Sequence, residues 1–468
     1  MSDGEPATDD PPTLPLVSAG ERETIETTAV SGIGGPVVAV STARRVHVHD
    51  AVETAREEGF DALSEMPIRE LLDRIADAGR RFEGIGPDSG LAPVAEYERR
   101  VARATGLPVG WVHTSAHWLG YGLRHAAESL RAQSPTGALD VYDDPAYTRE
   151  RNVGLAFAPR IRVLGGVMPG NDPAVYAWPA LAVAMKIPVV LRPSRRDPFT
   201  AVRLARALLA AGVPASAVHV LPGPREVGST VVREADHALV FGDESATGEH
   251  RDDPAVETYG PGRSVAVVAR EPTDRQLDSL ARGITRAGGR TCFNLTRIVA
   301  VDECDPDALA DDLAASVADV TDGPPTDPET DVPAFPDRER ARRIDERADA
   351  AGRDVTAQYR DGPRYAEFDD HARLAPTVVR TESLVEELPF PFAGVTSRDP
   401  DRPRALLGEL DGAYLGVAIG EEYERAMARS PRVRKVYGGT YPAAVDLRET
   451  HETFLVDFCY ERTTYDPS

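Results

Sequence analysis

Lysine is nearly missing from this chain of 468 residues. Lys186 and Lys435 are two of its 53 basic residues, which leaves 53 − 2 = 51 arginines. Bases are also outnumbered, 53 against 76 acids, for a formal net charge of −23. That balance excludes a general binder of nucleic acid or of anionic membranes. Cysteine is scarce too. Cys292, Cys304 and Cys459 are too few for a disulfide framework, and an odd number suits a reducing compartment. No long hydrophobic run is present: the most apolar stretch, 177–191, is interrupted by Lys186 and Pro188 and is too short to cross a bilayer. The opening Met-Ser-Asp-Gly-Glu-Pro has neither the basic nor the apolar region of a signal peptide. A soluble, cytoplasmic protein is expected. Aromatics make up only 6%, so no acyl-chain tunnel is legible.

What is there supports a folded enzyme-sized chain. At ~150 residues per domain the length suggests two to three domains, and 41% hydrophobic residues supply a core. The acidic, lysine-poor composition suits a carboxylate surface kept hydrated at high salt and points to a halophilic microbe. Residues 1–19 read as a disordered N-terminus. Val37–Val48 reads as a hairpin, followed by a helix from Asp50 to Phe60 and helices over Ile68–Phe82, Val94–Thr105 and Trp118–Ala132. The central third alternates short apolar strands (160–168, 189–191, 217–221, 238–241, 265–268) with helices (176–185, 199–211). That pattern predicts βαβ units and a parallel sheet. The Asp- and Pro-rich stretch 320–340 reads as a surface insertion.

The most informative segment is Gly289-Arg290-Thr291-Cys292-Phe293-Asn294, followed by a β-branched run. A thiol in a tight loop ahead of a buried strand, with glycine allowing close approach, suits a nucleophile. Taken alone, a cysteine in a loop is more often structural or incidental. Its context is ordered: Pro169-Gly170-Asn171-Asp172-Pro173, Arg192-Pro193-Ser194-Arg195, Leu221-Pro222-Gly223, Phe241 with Gly248 seven residues on, Gly260-Pro261-Gly262-Arg263-Ser264, the cysteine loop, then Glu386-Glu387-Leu388-Pro389-Phe390-Pro391.

This succession resembles the aldehyde dehydrogenase superfamily, strongly over about 155–300. The resemblance implies an α/β, aldehyde dehydrogenase-like fold. A Rossmann-type cofactor domain would run over about 20–258, with a bridging segment near 145–160. A catalytic domain would cover 259–440, and an oligomerisation segment 441–468, where Glu452–Tyr460 would extend a partner's sheet in a homodimer or homotetramer. It implies Cys292 as the nucleophile that forms a thiohemiacetal and then a thioester. Asn171, an ordinary turn residue if read alone, becomes an oxyanion donor. Arg192, Ser194, Arg195, Gly223, Phe241, Gly248 and Glu387 become cofactor-binding residues.

Departures from the family pattern matter. Arg195 stands where a ribose-binding glutamate is usual, which favours NADP over NAD if Arg195 does not simply face solvent. The turn before the pyrophosphate helix carries Asp243 and Glu244, and no Gly-x-Gly-x-x-Gly fingerprint is present. Glu257, 292 − 257 = 35 residues before the cysteine, is the candidate general base, but an ungapped match places Tyr259 there. The resemblance then leans toward the CoA-acylating branch and acyl-CoA reductases, with a small aldehyde or acyl-CoA as substrate. The alternatives are a carboxylate-forming aldehyde dehydrogenase using Glu257, and a catalytically weak nucleotide-binding relative. No metal is expected: His47 and His49 lack a third ligand, and His113 with His117 lack the glutamate of a zinc-protease motif. Cys304, among acids, makes a poor nucleophile, and Cys459 reads as a half-buried strand residue.

Overall fold

The computed structural model describes residues 13–86, 90–144, 155–321, 323–410, 412–442 and 454–464. Two seven-stranded sheets organise it. The first contains β1 (Leu16–Val17), β2 (Glu21–Arg22), β3 (Leu164–Val167), β4 (Val189–Arg192), β5 (Val218–Val220), β6 (His237–Phe241) and β7 (Val256–Tyr259), in the order β7-β6-β3-β4-β5-β1-β2. The five strands from β7 to β5 are parallel, and β1 closes antiparallel on β5 through Val17 and Val220. The interior strands β3, β4 and β6 are mostly apolar and buried, as parallel strands covered on both faces are, whereas the edge strand β7 carries Glu257 and Thr258. The helix Ile68–Phe82 buries Ile68, Leu71, Leu72, Ile75, Ala78 and Phe82, a three-and-four spacing that makes one apolar stripe.

The second sheet contains β8 (Ser264–Val268), β9 (Leu295–Ala300), β10 (Arg353–Asp354), β11 (Thr377–Arg380), β12 (Phe392–Ser397), β13 (Ala413–Ile419) and β14 (Val433–Gly438), ordered β10-β11-β12-β9-β8-β13-β14. All but β10 run parallel. Every residue of β8 and β9 is buried. The chain passes from the last strand of one sheet to the first of the other through only Gly260–Arg263, so the carboxyl end of β7 lies beside the amino end of β8.

Several expectations need correction. Residues 13–17, assigned to a disordered N-terminus, form strands Thr13–Leu14 and β1; residues 1–12 lie outside the described part. The hairpin is Thr27–Gly32 with Gly35–Ser41, and Val46-His47-Val48 belongs to the helix Arg45–Thr54. A two-residue alternation within an apolar patch is too short to tell strand from helix. Trp118–Ala132 is two helices, Val109–Arg124 and Ala126–Gln133. Among the described residues of 452–460, Leu455–Cys459 is helical. The strand starts only at Tyr460 and pairs with Leu155–Pro159 of the same chain. Residues 145–154, most of the expected bridging segment, lie outside the described part.

The 320–340 stretch is not a solvated insertion. Pro325 accepts a hydrogen bond from the Val109 amide (2.7 Å), the Ala334 amide donates to the Gly106 carbonyl (2.8 Å), and Val332, Ala334 and Phe335 are buried. Gly106 ends its helix at φ +76°, and a Cβ there would lie 1.9 Å from the Ala334 carbonyl oxygen.

Gly106→Ala is therefore expected to lower the thermal midpoint by several degrees. Gly362→Ala, equally at positive φ but with no atom within 4 Å of the added carbon, should cost only the backbone penalty. Equal shifts in a melting experiment would show that the contact with Ala334 contributes nothing.

Candidate active site

Cys292 is half-buried in the loop before β9, in no disulfide. Three contacts fix this loop. The Ser264 hydroxyl donates to the Cys292 carbonyl at 2.6 Å and accepts from the Leu415 amide at 3.2 Å. The buried Asn294 accepts from the backbone and hydroxyl of Thr291 (2.8 and 2.9 Å), and its amide reaches the carbonyls of Gly283, Ile284 and Arg286. Gly262 packs so closely that a Cβ would lie 2.0 Å from the Cys292 carbonyl oxygen, and only glycine fits. A thiol on such a loop keeps its place without help from substrate.

Arg290, two residues earlier, staples the surroundings together. Its guanidinium donates to the carbonyls of Pro389 (3.1 Å), Thr105 (2.9 Å) and Ala334 (2.7 Å) and lies 4.4 Å over the Phe335 ring. Burial, with Arg340 and Arg196 adding repulsion, brings its pKa down to about 9.

Asn171 follows β3 and reaches the cysteine loop from the other sheet: its Nδ2 donates to the Arg290 carbonyl at 2.6 Å. An amide nitrogen carries two hydrogens, so one remains for an oxyanion. The next residue, Asp172, is buried. It accepts from the Ser115 hydroxyl and from the Ala174 amide (3.0 Å). Burial raises its pKa, against those two bonds and the nearby Arg286 guanidinium.

Glu257 and Tyr259 alternate along β7 and share one face. Glu257 registers with Leu239, and Tyr259 with Phe241 at the carboxyl end. The Tyr259 and Phe241 rings stack, with centroids 4.3 Å apart and planes 9° from parallel. At about 3.3 Å per residue, Glu257 sits about 6–7 Å behind Tyr259 along the strand. The structure thus places Tyr259, not Glu257, at the end of β7 nearest the Gly260–Arg263 crossing. Glu387 is largely buried, which raises its pKa, and its Oε2 accepts from the backbone of Gly262 (2.7 Å) and Arg263 (3.2 Å). It clamps the crossing that packs on Cys292, a role its expected contact with cofactor did not foresee.

A dinucleotide fits where the strand order reverses. From β3 the chain runs to β4 and β5 on one side, then returns to β6 on the other. The loops at these carboxyl ends carry Asn171, Arg192, Ser194, Arg195, Gly223 and Phe241. Arg192 donates twice to the Gly223 carbonyl (3.2 and 2.9 Å), and its pKa is lowered by burial and by the neighbouring Arg195, which is exposed. Two neighbouring guanidiniums without a carboxylate partner among the described residues suit a phosphate-bearing nucleoside. The turn after β6 suits one less well. The Asp243 carboxylate accepts from the Ser245 amide (3.1 Å) and hydroxyl (2.6 Å), and Glu244 pairs with Arg251. The amide that would meet a diphosphate is already engaged. Gly248, exposed, lies one helical turn beyond.

Ser264, Asn294, Arg290, Arg286 and Tyr441 were not legible as site residues in the sequence. Ser264 and Asn294 sat inside the quoted motifs, but nothing in spacing reveals a hydroxyl or amide bonded across the loop. The histidine pairs are engaged by neighbouring protein groups. His47 receives the Arg44 amide, while His113 and His117 pair with Glu98 and Glu83. No metal-ligand cluster occurs among the described residues, and among them no helix is long and apolar enough to cross a membrane.

A family description, "Aldehyde dehydrogenase family", matches residues 17–384. The chain is similar to the NADP/NAD-dependent aldehyde dehydrogenase PuuC of Escherichia coli (strain K12), with 26% identity over 67% of this chain and 63% of that one. It is also similar to the 5-carboxymethyl-2-hydroxymuconate semialdehyde dehydrogenase of Escherichia coli, with 28% identity over 64% and 63%. Both matches thus span a little under two thirds of the relative's length. Among solved structures, the gamma-glutamyl-gamma-aminobutyraldehyde dehydrogenase of Burkholderia cenocepacia J2315 superposes with a TM-score of 0.74 at 19% identity, covering 96% of this chain and 95% of that one.

Burial raises the Cys304 thiol to about 11, helped by Asp305 and Glu271, and pushes up the fully buried Cys459, which lies in a helix rather than a half-buried strand. Iodoacetamide at pH 8 is therefore expected to label Cys292 alone in the folded protein. Peptide mass spectrometry showing Cys304 labelled first would refute this ranking.

Proposed function

The chain belongs to the aldehyde dehydrogenase family, and within it we propose that it interconverts an aldehyde and an acyl thioester through Cys292, with CoA as the acyl partner. The Cys292 thiolate attacks the carbonyl carbon. The resulting oxyanion is met by the second Asn171 N–H and the Cys292 backbone N–H. A nicotinamide dinucleotide, when bound, supplies the hydride acceptor. Loss of hydride turns the Cys292 thiohemiacetal into a thioester, and a thiol attacking that carbonyl regenerates the cysteine. Arg192 and Arg195 would hold phosphate at the carboxyl ends of β4 and β5, which supports NADP over NAD.

One observation carries the choice of thiol over water: Tyr259, stacked on Phe241, occupies the end of β7. A phenol is no base for water near neutral pH. The second reading, release of a carboxylate with Glu257 as base, is supported by its facing the same side of β7 and being only partly buried. The unpaired outer edges of the Leu155–Pro159/Tyr460–Thr464 ribbon, as far as the described residues go, support a homo-oligomer. The charge of −23 supports a salt-rich cytosol.

Reduced-nicotinamide absorbance in molar KCl, with short aldehydes, both dinucleotides and CoA present or absent, tests this. Turnover is expected only with CoA, to be faster with NADP, and to be abolished by Cys292→Ala. CoA-independent turnover lost in Glu257→Gln would replace the acylating reading with the hydrolytic one.

A further inference from the structure

Beside Cys292 lies a group of polar atoms that the proposed chemistry leaves unused. Arg286 Nη1, Trp111 Nε1 and Tyr441 Oη are all buried without a well-formed hydrogen bond among the described residues. They are neighbours. The Arg286 guanidinium lies 5.4 Å from the Trp111 ring centroid and 6.0 Å from that of Phe293, the residue after the nucleophile. The Tyr441 hydroxyl, pushed up to about 12 by burial, is opposed in that shift by Arg286 and reinforced by Cys292. It therefore sits within electrostatic reach of both. All three atoms are donors. The Tyr441 oxygen serves Arg286 as a weak acceptor, which leaves the Trp111 N–H and the Tyr441 O–H as buried donors beside a guanidinium with no carboxylate partner among the described residues. That arrangement is costly unless something fills the space between them.

The carboxylate that could neutralise Arg286 does not do so. Asp172 has its Oδ1 engaged by Ser115 and Ala174, its pKa is raised, and it forms no ion pair with Arg286. The guanidinium is walled instead by aromatic faces, which hold a cation in place yet accept no hydrogen bond of ordinary strength. One positive charge with two neutral donors, near a partly compensating Asp172, matches a monoanion better than a dianionic phosphate. Carboxylate geometry suits a guanidinium fork.

We propose that Arg286, with Tyr441 and Trp111, forms a carboxylate-binding subsite, so that the substrate is a short aldehyde or acyl thioester bearing a carboxylate at its far end. This rests on the Cys292 reading above and adds the substrate class. Phe293 and Trp111 would pack the short spacer while the carbonyl end meets Cys292 and Asn171.

Two measurements test it. In the first, kcat/KM is compared for 4-oxobutanoate and butanal, which share chain length and differ by the carboxylate. A preference for 4-oxobutanoate of about 100-fold or more is expected. It should collapse by a similar factor in Arg286→Gln, fall less in Trp111→Phe, and be partly restored in Arg286→Lys. No preference in the wild type, or a preference untouched by Arg286→Gln, would overturn the subsite. In the second, the rates at which iodoacetate and iodoacetamide alkylate Cys292 are compared, which requires neither cofactor nor turnover. The iodoacetate-to-iodoacetamide ratio should drop about tenfold in Arg286→Gln. A preserved alkylation effect in a protein that oxidises no aldehyde would keep the anion subsite and reject the enzymatic reading. An unchanged ratio together with unchanged aldehyde preference would reject the subsite and leave the reading of Cys292 standing.

Discussion

A buried guanidinium with three carbonyl partners is the constraint on which the site depends. Removing Arg290 from water is costly, and burial lowers its pKa accordingly. The position is tolerable because the Thr105, Ala334 and Pro389 carbonyls come from three distant parts of the chain and converge on one planar fork. Each of those carbonyls would itself be poorly satisfied without it. The same contacts draw the 320–340 stretch inward and hold the cysteine loop against the end of the helix Val94–Thr105.

On this frame the two sheets divide the labour. The first offers the carboxyl ends of parallel strands at a reversal of strand order, where loops such as Gly170–Asn171 reach outward. The second offers a loop ahead of a wholly buried strand, locked by Ser264 and Asn294. The proposed chemistry sits where Asn171 of one meets the Arg290 carbonyl of the other. A donor held this way needs little reorganisation when negative charge appears. Glu387 strengthens the same junction by gripping the amides of the Gly260–Arg263 crossing, so a carboxylate that sequence reasoning assigned to the cofactor also serves the backbone.

Charge is distributed unevenly around this centre. The net charge is strongly negative, while the carboxyl end of β4 and the loop after it carry Arg192 and Arg195, and Arg286 lies beside Phe293, next to Cys292. With lysine almost absent, these positions fall to arginine, whose planar fork can meet several carbonyls and an aromatic ring at once. The exception is the turn after β6, where Asp243 satisfies the helix start itself and leaves phosphate to be met elsewhere.

The sequence alone was enough for the α/β class, for the helices Ile68–Phe82 and Val94–Thr105, and for the alternation of strands and helices from β3 to β8, because hydrophobic period is a local signal. Flanking glycines and prolines marked Cys292 and Asn171 as residues of turns next to strands, and only the resemblance to a family gave those turns a chemical role. The sequence could not decide between Glu257 and Tyr259, since both lie on one face of β7 and only the register with Phe241 shows which reaches the strand end. Nor could it show that an Asp- and Pro-rich stretch packs against Gly106, or that Arg286, Trp111 and Tyr441 share one pocket. Those residues are separated by 175 and 155 positions along the chain from Arg286, and hydrogen-bond partners so far apart are chosen by tertiary packing, which leaves no periodic trace in either neighbourhood.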